Sequence, residues 1–189
     1  MAFLTPNASG EAGVLASFLR NQLAQVRSTA HGLTDEQWHQ RSTVSDFTLA
    51  TLIDHVGLVA EQYAQGVVNG LTEGFDYGSG VAAGEADDVS NYPGDKLLAD
   101  FDARVAFVSD LVQRVETGEI PLDGSVPVPP APWFPEDLKT WEVRWVLMHI
   151  ATESARHAGH ADIIRESIDG KGSYELNALA DGQSWGEWG

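Results

Sequence analysis

The stretch "TWEVRWVLMHIATESARHAGHADIIRESIDG", Thr140 to Gly170, decides the fold. It is the longest and most apolar helical segment of the chain, and its spacing predicts one helix from near Thr140 to just before Gly170. Within it His149, Glu153, His157 and His160 stand at i, i+4, i+8 and i+11, inside a stripe of roughly 80°. Ile150, Ala151, Ala155 and Ala158 keep the intervening surface apolar. A solvated face normally mixes Lys, Glu and Gln. A carboxylate buried beside imidazoles is costly unless something pairs with it.

Three more segments have helical periodicity. "EAGVLASFLRNQLAQVRSTAHG" repeats Val14, Leu15, Phe18, Leu19, Leu23 and Val26 before a stop at Gly32. "LATLIDHVGLVAEQYAQGVVNG" carries the stripe Leu52, Val56, Val59 and Tyr63 and ends at Gly70. "DKLLADFDARVAFVSDLVQRVETG" opens on Asp95 as cap and buries a face that includes Phe101, Val105, Val108 and Leu111. Between the first two, Thr34 caps a short helix with Gln37 three residues on. Residues 71–94, rich in Gly, Asp and Ser, read as a long loop, in which "GFDYGSGVAAGEADD" is a candidate lid. "EIPLDGSVPVPPAPWFPEDLK" has too many prolines for a helix and reads as an extended strap. Its "VPVPP" looks strand-like, but the prolines argue against a strand. The expectation is an all-α four-helix bundle with two long crossover connections. It forms one domain over 1–189, with a tail at about 171–189 that holds at most a short helix.

Composition narrows the chemistry. The chain has 189 residues, 43% hydrophobic, enough for one full core. With no cysteine, disulfides, zinc fingers, iron–sulfur clusters and cysteine nucleophiles are excluded. Any metal is left to His, Asp and Glu, which suit zinc, nickel, iron or manganese. A net charge of −17 argues against nucleic acid and anionic membranes as partners. The chain shows no apolar run long enough to span a bilayer and no signal-peptide pattern at its start, so the cytoplasm is the default location.

One ion cannot use the whole stripe, because His149 and His157 stand about 12 Å apart along the axis. Glu153 with His157, His157 with His160, and His149 with Glu153 are each feasible pairs. A third ligand must come from a facing helix, and His55 lies on or beside the core-facing stripe of the second long helix. Two histidines and one glutamate suit a catalytic divalent metal with a position left open. His31 and His39 lie near helix ends or in the short helix and are expected to be exposed. His149 by itself reads as structural.

"VRWVLMHIATESARHAGHADIIRE" resembles the hallmark segment of DinB/YfiT-like proteins, most of all an actinobacterial subgroup related to mycothiol-dependent enzymes. "GLTDEQW" and "LIDHVGLVAEQY" fit the same pattern, and the resemblance covers roughly Gly10 to Gly170. It implies an up-down-down-up bundle, usually dimeric, and a zinc or nickel ion held by His55, Glu153 and His157. Glu153 replaces a histidine found in many members, a replacement shared with the mycothiol-dependent maleylpyruvate isomerases. His160 stands where many relatives have Gln, and it or Asp162 supports the ligands or adds a fourth. The additional C-terminal domain of those isomerases has no room in this tail, which speaks against isomerase activity. The resemblance implies a transferase that uses a low-molecular-weight thiol, such as mycothiol, against a small electrophile. Metal-dependent hydrolysis, with His160 as base, is the first alternative. A non-catalytic, stress-related metal-binding dimer is the second.

Overall fold

The computed structural model describes residues 7–70, 89–128 and 134–187. The chain is mainly helical: α1 (Gly10–Ser28), α2 (Asp35–Trp38), α3 (Leu49–Gly70), α4 (Gly94–Glu116), α5 (Val143–Asp169) and α6 (Ser173–Ala180). Two short strands, β1 (Ser125–Pro127) and β2 (Thr140–Glu142), pair antiparallel. The four long helices form the bundle, and α6 packs on α1. Among the described residues no helix is long and apolar enough to cross a membrane.

Cross-helix contacts define the directions. Arg144, at the start of α5, bonds Glu11 at the start of α1, and Arg165 near the end of α5 meets the chain just beyond α1. These two helices are therefore parallel. Arg20 pairs with Glu116 and Arg27 with Asp102, so α1 and α4 are antiparallel. His55 faces Glu153 while Tyr63 faces His149, so α3 and α5 are antiparallel. The order is up-down-down-up. α3 and α4 are thus parallel neighbours. The candidate lid, residues 74–88, lies outside the described residues.

The strap departs from expectation. Val126 of "VPVPP" is fully buried in a strand, opposite Trp141, with Pro127 opposite Thr140. A two-stranded ribbon leaves each strand a free edge, where proline's missing N–H costs nothing. The ribbon takes Thr140–Glu142, so α5 begins at Val143. The strap then caps the helix: Val143 N–H donates to Gly124 O and Arg144 N–H to Leu122 O, both at 2.9 Å. These bonds satisfy donors that would otherwise be orphaned at the helix start.

Asp95 is not the cap of α4. Pro93 holds that position, and Asp95 sits in the first turn, where a carboxylate suits the helix dipole. Gly94 lies so close to Trp38 that an added Cβ would fall 2.0 Å from the indole nitrogen. The same glycine's N–H donates to Asp35 at 2.9 Å. The predicted Thr34–Gln37 capping box is present in full.

Arg165 is the largest fully buried side chain, at 1% exposure. Its Nη1 donates to the carbonyls of Thr29 (2.6 Å) and His31 (2.8 Å), and its Nε and Nη2 reach Asp169. It thereby ties the C-terminal turn of α5 to the end of α1. Burial alone would raise the Asp169 carboxyl, but bonds from Arg165 and Lys171 overcome this and hold it at about 2. A depressed carboxylate pKa contributes stability that is present above the unfolded value near 4 and lost as pH falls toward 2. Asp169→Asn should cost about 2 kcal/mol at pH 7 by urea denaturation, with the difference from wild type narrowing between pH 4 and 2.

Candidate metal centre

Antiparallel packing brings His55 of α3 to Glu153 and His157, one turn apart on α5. His55, Glu153 and His157 each offer one atom, all within 4.8 Å of one another. Glu153 Oε1 is the hub: it accepts from His157 Nε2 at 3.0 Å and lies 3.9 Å from His55 Nε2. The imidazole rings meet edge to face at 4.9 Å. The His157 side chain is 8% exposed, Glu153 29% and His55 34%, so the cluster is closed beneath and open toward solvent. Burial lowers the pKa of His157, the Glu153 carboxylate raises it, and His55 lowers it again, leaving it below its ordinary value.

Two groups set the aim of these side chains. On the far side of α3, Asp54 is buried and receives Arg104 Nη1 from α4 at 2.6 Å, on the residue next to His55. Gly57 gives that arginine room, since a Cβ there would lie 3.2 Å from Arg104 Cδ. On the site side, Phe47 packs against both rings, 6.2 Å from His55 and 5.8 Å from His157. It stands just before α3, in a connection held to α5 by a bond from Ser42 Oγ to Ile164 O.

The rest of the predicted stripe lies outside this group of three. His160 is exposed, with its ring 5.4 Å from that of His157. Asp162 is half-buried; burial and Glu166 raise its carboxyl to about 6. Neither belongs to the set of converging ligand atoms. His149 stacks on Trp145 at 5.0 Å and packs against Tyr63 at 4.5 Å. Burial lowers its pKa, only partly offset by Glu153, so it is neutral at pH 7. Tyr63 is pushed up by burial and by Glu153, so its phenol stays protonated. His31 is exposed as expected, but His39 is half-buried, its Nε2 2.9 Å from the carbonyl of Tyr92.

Sequence reasoning missed Phe47, Tyr63, Trp141 and Trp145 as neighbours of the site. A signal for the tryptophans was present: Trp141, Trp145, His149, Glu153 and His157 recur every four residues. Tyr63 read as core, and Phe47 sat in a polar connection with no periodicity to betray it.

A four-helix up-down-down-up bundle with two histidines and a carboxylate converging from facing helices defines a DinB/YfiT-like protein. Within that class the chain belongs to the mycothiol-S-transferase family, whose model, described as Mycothiol-S-transferase, matches residues 14–170. Among curated proteins and solved structures there is no significant match.

The stacked environment of His149 can be checked directly. Its ring should titrate below 6.5 by NMR. Trp145→Ala, which opens the ring to water, should bring it back toward that value. Arg104→Met should cost about 3 kcal/mol of stability by urea denaturation, because it leaves the Asp54 carboxylate buried without its partner.

Proposed function

We propose that this protein is a metal-dependent transferase that joins a low-molecular-weight thiol of the mycothiol type to a small electrophile. A zinc or nickel ion would be held by His55, Glu153 and His157. The observation that carries this reading is the convergence of those three ligands in a chain of the mycothiol-S-transferase family.

The donor set fits such an ion. Tetrahedral zinc ligands stand roughly 3.3–3.6 Å apart; the two Oε1–Nε2 separations, 3.0 and 3.9 Å, lie to either side of that range, and all three ligand atoms lie within 4.8 Å of one another. His157 Nδ1 is buried with no hydrogen-bond partner, which leaves Nε2 as the atom that faces the other ligands. Three protein ligands, two of them partly open to solvent, leave a place for an outside molecule. A divalent ion held there would lower the pKa of a thiol beside it and favour thiolate at neutral pH.

The chain has no cysteine and so no thiol of its own, and the nucleophile comes from the co-substrate. In the transfer, a sulfur–carbon bond forms as the bond from that carbon to its leaving atom breaks, and the leaving atom keeps the electron pair. The proton lost by the thiol ends on the displaced atom or in solvent. Phe47 would wall the site on one side, while His149 and the Tyr63 phenol flank it on the other. His160, exposed beside His157, would assist at the mouth. Transfer is preferred to hydrolysis because the family is one of thiol transferases. A cytoplasmic homodimer is the assembly proposed.

Untagged protein should contain about one zinc or nickel ion per chain by elemental analysis. His157→Ala and His55→Ala should lose it, while His149→Ala keeps it. With mycothiol and an epoxide, the metal-loaded protein should form the thioether, and the two metal-free variants should not. Full metal occupancy in both ligand variants would overturn the assignment. Epoxide consumption without thiol would replace transfer by hydrolysis.

A further inference from the structure

Upstream of the ligands a ladder of rings runs from β2 onto the same face of α5. Trp141 and Trp145 stack at 4.3 Å with 13° between their planes, and Trp145 and His149 stack at 5.0 Å with 7°. Tyr63 of α3 closes the ladder from across the groove, 5.9 Å from Trp141 and 4.5 Å from His149. Trp145 and His149 lie one turn apart on α5, and Trp141, in β2, continues the stack ahead of the helix. The next position on the stripe after His149 is Glu153, and the one after that is His157.

Most of this ladder is hidden: Trp141 is 5% exposed, and Tyr63 and His149 are half-buried. Trp145 is 41% exposed. A core aromatic cluster would bury its central member, yet here the middle rung is the open one. With a parallel ring on each face, Trp145 offers solvent mainly its edge. Ring edges carry the positive end of the aromatic quadrupole and attract the negative face of another arene. His149, one turn, or about 6 Å, from Glu153, places that edge within one ring's reach of the ligands.

Charge selects the guest further. A chain with net charge −17 and a carboxylate at the hub of its site disfavours anionic guests. A strongly electron-poor arene would present the wrong face to ring edges.

We infer that the Trp145–His149 edge is the acceptor subsite of the proposed transferase. It binds the ring of a neutral, electron-rich arene whose electrophilic carbon lies one or two atoms outside that ring, directed at Glu153 and His157. The inference rests on the transferase reading above and names its substrate class. For a styrene-type epoxide the thiolate sulfur bonds to a ring carbon of the epoxide and that carbon's C–O bond breaks. The alkoxide then takes up one proton, replacing the one the thiol released, so no other reactant is needed.

Two measurements separate this inference from the reading beneath it. In the first, unreactive 2-naphthylmethanol is titrated into metal-free, isotope-labelled protein, and the indole N–H signals are followed by NMR. The signals of Trp141 and Trp145 should shift saturably, while that of Trp185, exposed in the C-terminal turn (Trp185–Glu187), should not. Trp145→Leu should weaken binding about fivefold, Trp145→Phe should recover most of it, and Trp185→Leu should change nothing. In the second, metal-loaded protein with mycothiol is given styrene oxide and propylene oxide. Trp145→Leu should raise KM for styrene oxide about fivefold more than KM for propylene oxide. No saturable naphthyl binding, or binding and KM unchanged in Trp145→Leu, overturns the subsite. Naphthyl binding at Trp145 with no thiol transfer to either epoxide keeps the arene subsite and overturns the transferase.

Discussion

Everything at the centre of this molecule depends on the antiparallel register of α3 against α5. That register puts His55 opposite Glu153 and His157, and Tyr63 opposite His149. A shift of one helical turn would move His55 about 6 Å along the bundle and part it from the Glu153–His157 pair. Two constraints at the ends of α5 hold the register. The strap carbonyls of Leu122 and Gly124 cap the first turn, and buried Arg165 ties the last turns to the end of α1. Both use polar bonds with defined directions where apolar packing alone would let helices slide.

The rotation of α3 about its axis is as important as its register. Asp54 and His55 are neighbours, so about 100° separates them around the helix. Anchoring Asp54 to Arg104 on α4 turns His55 toward α5. Gly57 leaves room for that anchor, since a Cβ there would crowd both Phe101 (3.0 Å) and Arg104 (3.2 Å). A surface of another sort lies opposite, where Phe47 covers the two ligand rings and the aromatic ladder continues their stripe. The result is a carboxylate hub with Phe47 on one side and an aromatic ladder leading up to it.

Much of this was legible from residue order. Helical periodicity marked the four long helices, the Thr34 capping box and the crowding of prolines in the strap. The i, i+4 spacing of Glu153 and His157 follows from helix geometry alone. The ribbon was not legible, because proline is tolerated on a free edge and nothing local says that Val126 will find Trp141. The half-burial of His39 was missed for the same reason: its partner, the carbonyl of Tyr92, is remote in the chain. Phe47 escaped notice because a single apolar residue in a polar loop has no period to read.

The sequence by itself determined the helices, the acidic and cysteine-free chemistry, and which face of α5 carries imidazoles. These depend on local periodicity and composition, which the order of residues states outright. Tertiary structure alone decided which members of that stripe converge. It placed His55 with Glu153 and His157, left His160 and Asp162 outside that group, stacked His149 on Trp145 and packed it against Tyr63. The reason is that convergence is a matter of distance between helices. That distance is fixed by residues such as Arg165 and Arg104, whose partners lie tens of residues away.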